Sequence, residues 1–219
     1  VLGLVASFFH LGRPERAWRA AAKWRTSWLA REVLVLPAVM GLVALYGLAH
    51  ALELTQRPFL TIAGILPVDA TLVIGLLGTL AAFALYGATA MIYASVRFLP
   101  EWHSPLTVVN FTLLGLASGF MLAAAHAAWQ GAPLVGFYGF WAVVATALGL
   151  VSRGASLLRL GRIKPKSSPQ TAIGVRHQAL VQIAQGATGG SFNTREFRHG
   201  RSPATLRRVR ALFLLLVFP

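Results

Sequence analysis

Apolar residues run along this chain in long unbroken blocks, and the polar residues are collected between them. Four blocks read as complete: Val33–Leu52, Ala70–Tyr93, Leu106–Trp129 and Leu134–Val151. Crossing ~30 Å of hydrocarbon takes roughly 20 helical residues. The blocks are continuous rather than alternating, so they predict spanning helices and not the strands of a barrel. Two shorter runs, Val1–Phe9 and Ala211–Phe218, read as spans cut short. The pattern predicts an all-α polytopic transmembrane helix bundle. It has at least six segments in one integral membrane domain over residues 1–219, with a long basic segment at 153–210.

Composition agrees. The chain is 56% hydrophobic and only 12% charged, against about 25% charged in an ordinary soluble domain. There is no cysteine, which excludes disulfides and thiolate-held zinc or iron–sulfur clusters within this chain. The net charge of +14 would suggest nucleic acid in a soluble protein. Its placement gives another meaning. Of the 20 Lys/Arg, all but Arg57 fall in the 10–32 loop, the 94–105 loop and the 152–210 segment, which alternate along the chain and so share one side. Excess Lys/Arg marks the cytoplasmic side of a membrane protein. The charge is therefore read as topology, with anionic lipid headgroups attracted to the same face.

Small residues recur inside the spans, as close helix packing in lipid favours. Gly115-x-x-x-Gly119 fits that pattern.

Ionisable groups at the edge of a hydrocarbon core are costly and point to function. His10 ends the first apolar run. It is followed by Gly12, which permits a tight turn, and by Pro14, which disfavours helix at Arg13. Glu32 opens the next span at the same boundary. An imidazole and a carboxylate at adjacent helix ends suit proton exchange with a quinone. The plain alternative pairs Glu32 with Arg31 or Arg25. Trp18, Trp24, Trp28 and Trp102 sit where an interfacial aromatic belt would, or could wall a flat ligand. His103 reads as an interfacial histidine. Asn110, one turn into a span, needs a partner on another helix or on a ligand. His50 and His126 lie at similar depth near the opposite face and could in principle ligate haem. The stretch SFNTREFRHG mixes aromatic and charged residues like a segment that docks on something.

The blocks FFHLGRPERAWRA and WRTSWLAREV together resemble the membrane anchors of dimethyl sulfoxide reductase-type molybdoenzymes, the DmsC family. His10, Leu11, Gly12, Pro14 and Glu32 carry that resemblance. The stretches MIYASVRFLPEWHSPLTVVNFTLLG and GGSFNTREFRHG look closer to the sulfite-oxidising branch. The resemblance implies an eight-helix anchor in a complex of three different subunits. Molybdopterin and iron–sulfur clusters would reside only in the partner subunits, and the anchor would hold ubiquinone or menaquinone without haem. It implies a quinone site at His10, Gly12, Arg13, Trp28, Arg31 and Glu32. Docking on the iron–sulfur partner would use Arg16, Arg19, Arg25, Arg97, Glu101, Trp102, Phe192, Asn193, Arg195 and Glu196. With the charge distribution, it predicts the bacterial cytoplasmic membrane, the docking face toward the cytoplasm, and electrons passing from sulfite oxidation to quinone. Rival readings are a quinol-oxidising anchor of a dimethyl sulfoxide-type or polysulfide-type reductase, a haem-bearing anchor, a purely structural anchor and a transporter. A transporter would place polar groups or broken helices at the midplane of two repeats; here they cluster at the faces.

Overall fold

A computed structural model of the chain describes residues 9, 12–56, 58–62, 65–164, 170, 171, 174, 177 and 202–217. It is mostly helical. A 3-10 helix, Pro14–Ala21, precedes four long helices: α1 (Trp28–Ala51), α2 (Ala70–Ala94), α3 (Pro105–Trp129) and α4 (Val135–Arg162). A shorter helix, α5, covers Pro203–Val217. All four long helices are long and apolar enough to cross a membrane. At 24 residues, α1 is the shortest of them, and at ~1.5 Å per residue it exceeds the ~30 Å of a bilayer core.

The helices begin where side chains satisfy their first amide groups. Ser27 Oγ accepts from the Ala30 amide, Asp69 Oδ1 from Leu72, and Ser104 Oγ from Leu106. Each cap removes one of the four orphan donors of a helix start. Ser27 moves the start of α1 five residues ahead of the apolar run, so Arg31 and Glu32 lie inside the helix rather than in the loop. Pro37 lies within α1 and withholds an amide from the carbonyl one turn back, at Val33. At the other extreme, α4 runs to Arg162, well beyond the expected end at Val151. Ala, Leu and Arg are good helix formers and carry the helix past the apolar block into its basic end. The start of the 153–210 segment is thus helix, not loop.

Side-chain size explains the packing. The buried apolar residues are almost all alanines: Ala30, Ala49, Ala88, Ala90, Ala94, Ala117, Ala127, Ala142 and Ala145. Large apolar side chains point outward, with Leu122 73% and Val143 70% exposed. Outward apolar surface on this scale is unfavourable in water and favourable in lipid, where small residues let helix backbones approach. The protein is an integral membrane protein. Gly115 illustrates the close approach: an added methyl there would meet the Tyr86 ring at 2.7 Å. Gly119 has no such neighbour, so only half of the Gly-x-x-x-Gly pair makes a contact.

The chain divides into two compact units, 1–156 and 157–219. In the first, α1 packs on α2 and α2 on α3. The loop between α1 and α2 holds a short antiparallel hairpin, β1 (Leu60–Ile62) and β2 (Leu66–Val68), with Leu60 opposite Val68. No strand was expected there. The second unit holds the end of α4 and, separately, α5, which starts eight residues before the apolar run at Ala211. The expected segment at Val1–Phe9 lies almost wholly outside the described residues.

Candidate functional site

The chain order places the start of α1, the end of α2, the start of α3 and the Ser152–Ser156 turn of α4 at one end of the bundle. This is the basic end. Two polar contacts between helices lie just inside it.

The first joins α1 to α2. Thr89 donates its hydroxyl hydrogen to Glu32 Oε1 at 2.5 Å, across 57 residues of sequence. Both side chains are half-buried. Glu32 has no ion-pair partner among the described residues. That rules out the plain reading in which Arg31 or Arg25 neutralises it. No described residue bonds Oε2, so one carboxylate oxygen is pinned and the other can accept from a ligand or carry a proton.

Arg31 is occupied elsewhere. Its Nε donates to the Trp24 carbonyl at 2.9 Å and its Nη2 to the Arg25 carbonyl at 2.8 Å. Its guanidinium lies 4.1 Å from the centre of the Trp28 ring. A planar fork of donors over an indole face is a firm local clamp. It ties the preceding loop to the first turn of α1. The 3-10 helix packs on α1 as well. Arg13 has φ −145° and ψ 77°, outside the helical region, as the following Pro14 requires. Gly12 is exposed and keeps out of the left-handed region; among the described residues only Glu53, Gly131 and Gly174 have positive φ. A β-carbon at Gly12 would meet nothing within 4 Å, so the turn does not depend on glycine. His10 lies outside the described residues.

The expected docking residues separate. Arg16 pairs loosely with Glu15 at 3.9 Å. Arg19 lies over Trp18 and Arg25 over Trp24. On the α2–α3 loop Arg97 and Glu101 are both exposed. The Trp102 ring meets Tyr93 edge-on at 5.3 Å, and Tyr93 stacks on Phe111 at 5.7 Å. His103 Nδ1 lies 2.6 Å from the Ala94 carbonyl, an acceptor, so this nitrogen carries the hydrogen. That bond closes the turn between α2 and α3. Phe192, Asn193, Arg195 and Glu196 lie outside the described residues.

The second inter-helix contact joins α3 to α4. Asn110 Nδ2 donates to Ser156 Oγ at 2.7 Å. A helix partner for Asn110 was one of the two expected outcomes.

The opposite end differs. Asp69 accepts from Thr71 Oγ1 at 2.6 Å and from the Leu72 amide at 2.7 Å. These two bonds, the Thr71 one foremost, hold its carboxyl below the ordinary value of 3.8. His50 meets Tyr46 edge-on at 4.6 Å, and His126 meets Trp129 at 6.2 Å, each within one helix. A groove of about 740 Å³ opens between α1 and α2 at this end, lined by Leu42, Tyr46, Asp69, Gly75 and Thr79 among others.

The sequence matches the DMSO reductase anchor (DmsC) family over residues 1–217. The chain belongs to this family. It is also similar to a sulfite dehydrogenase subunit of Allochromatium vinosum, with 66% identity over 219 residues, all of this chain and 67% of that protein. No solved structure matches. The DmsC assignment, with four apolar helices whose outward faces suit lipid, makes the chain a membrane anchor of an oxidoreductase complex. Glu32 is a carboxylate near the start of a spanning helix, bonded across helices by Thr89. Thr89 was missed from the sequence. A threonine hydroxyl near the end of one span, at the depth of a carboxylate near the start of the span before it, was the available signal.

Proposed function

We propose that this anchor exchanges electrons between an iron–sulfur partner and the membrane quinone pool, in a complex whose molybdopterin-bearing partner oxidises sulfite. The observation that carries the reading is the Glu32 carboxylate, which lacks a neutralising cation among the described residues and is pinned across helices by Thr89. A carboxylate held this way at the edge of hydrocarbon is costly to maintain, and such groups mark proton and ligand sites. The relative's name supports the substrate, since that protein is part of a sulfite dehydrogenase.

A bound quinone, ubiquinone or menaquinone, supplies chemistry that takes up two electrons and two protons. The site fits it in kind: a carboxylate with one oxygen unbonded, the indole of Trp28, and a loop held rigid by Arg31. Arg31 acts here by fixing the loop, because its donors already serve the Trp24 and Arg25 carbonyls. Glu32 holds or passes a proton at Oε2 while Thr89 keeps Oε1 in place. His10 donates a hydrogen bond at a ligand oxygen and gives up its proton there. Gly12 and Arg13 lead from His10 into the 3-10 helix. No haem is invoked: His50 and His126 stay with their own helix neighbours.

The basic loops face the cytoplasm of a bacterial inner membrane on the strength of their Lys/Arg excess. The iron–sulfur partner docks on that face through Arg16, Arg19, Arg25, Arg97, Glu101 and Trp102, with the 192–196 stretch adding Phe192, Asn193, Arg195 and Glu196. The test uses the intact complex. His10→Ala should lower quinone-linked sulfite oxidation by about 10²-fold, the scale of a positioned acid or base. Activity with an artificial soluble acceptor should stay unchanged. Unaltered quinone kinetics would remove His10 from the site.

A further inference from the structure

The contact between α3 and α4 contains more polar chemistry than it satisfies. Ser156 Oγ donates its hydrogen to the Ser152 carbonyl at 3.0 Å. A hydroxyl has one hydrogen, so toward Asn110 the Ser156 oxygen can only accept. The amide nitrogen of Asn110 must be the group facing it, at 2.7 Å. That fixes the amide's orientation by chemistry, and Asn110 Oδ1 is turned away from Ser156 as an acceptor. Asn110 is 7% exposed and Oδ1 has no partner among the described residues. Ser152, one turn before Ser156 on the same face of α4, is 8% exposed, and its hydroxyl oxygen is equally unpartnered. Two unmet polar atoms thus lie on facing helices beside the Asn110–Ser156 hydrogen bond.

In lipid neither atom can turn to bulk water, and an unsatisfied polar group there is costly. The two are complementary in a specific way. One needs a donor, and the other has a hydrogen to give and lone pairs to offer. We propose that α3 and α4 hold a single buried water molecule, which donates to Asn110 Oδ1 and accepts from the Ser152 hydroxyl. Buried waters of this kind make about three hydrogen bonds to groups the protein cannot otherwise satisfy. With Ser156 the water completes a polar clamp just inside the basic end. The clamp fixes the stretch of α4 that carries Arg153 and leads out of the membrane.

The sign of one substitution tests this. If Ser152 bonds a water, Ser152→Ala loses a hydrogen bond and lowers the melting midpoint of the anchor in the intact complex by about 2–4 °C, the shift a lost hydrogen bond gives in a chain of this size. If its hydroxyl is unbonded, or merely turned back onto its own helix, Ser152→Ala leaves the midpoint unchanged or raises it, and the proposal fails. Ser156→Ala calibrates the assay, because it strands the Asn110 amide nitrogen whether or not a water is present. A high-resolution map of the complex provides an independent reading. Density within hydrogen-bonding distance of both Asn110 Oδ1 and Ser152 Oγ is expected. Well-resolved side chains with no peak between them would overturn the assignment.

Discussion

The two ends of the bundle handle their polar side chains differently. At the basic end, polar side chains reach across helices: Glu32 to Thr89 and Asn110 to Ser156. At the opposite end they stay local, with Asp69 serving Thr71 and Leu72 and with His50 against Tyr46 of the same helix. Among the described residues, the side-chain hydrogen bonds joining long helices both lie at the basic end. Local bonds cap a helix and do little else. Bonds between helices fix the relative positions of groups far apart in sequence, as a binding site requires. The difference supports the ligand-handling role proposed for the basic end.

The strongest way to break that contrast is to remove the carboxylate. Glu32→Gln keeps shape and hydrogen-bonding capacity but not the charge or the titration. It should lower quinone-linked turnover by about 10²-fold, with soluble-acceptor activity retained, as steady-state rates of the intact complex in membranes would show. A smaller loss, roughly 10-fold, is expected for Thr89→Val, which removes the donor to Oε1 and preserves volume. Placing a carboxylate is worth less than the carboxylate itself, and one hydrogen bond to a charged group is worth about 1.5–3 kcal/mol. Thr89→Ser should restore most of the rate. Equal losses for valine and serine would mean that packing, not the hydroxyl, matters.

The smallest effect belongs to the far end. Asp69→Asn should leave quinone-linked turnover unchanged and cost a little stability above the acid range. The folded-state pKa of Asp69 lies below 3.8, so its contribution to stability is complete above that value and is lost as pH falls through the lower, folded-state pKa. Thermal melts of wild type and Asp69→Asn across acid pH should differ at the upper end of that window and converge below it. A turnover defect in Asp69→Asn would blur the distinction between the two ends.

Much of this was legible in the sequence, for physical reasons that differ by residue. Spanning helices follow from unbroken apolar runs, because lipid leaves a chain few alternatives. Glu32 and Trp28 stand out as polar or aromatic residues at a hydrocarbon boundary. Arg31 was legible as a boundary cation but not in its role: local sequence does not reveal that its fork would turn back onto the Trp24 and Arg25 carbonyls instead of pairing with Glu32. Thr89 and Ser156 were hard to read because their partners are 57 and 46 residues away, and depth in the membrane was the one hint, for Thr89. The hairpin at Leu60–Val68 was hidden by its shortness, with three residues per strand and a proline in one of them. The extension of α4 to Arg162 was missed because hydropathy marks where a helix leaves lipid, not where it stops.

Photo-crosslinking with an azido-quinone in the intact complex, followed by peptide mapping, tests the central claim most directly. The account predicts label on the Trp28–Glu32 region of α1 and near Thr89 on α2. Label confined to the groove at Leu42, Tyr46 and Asp69 would contradict it and move the quinone to the other end of the bundle.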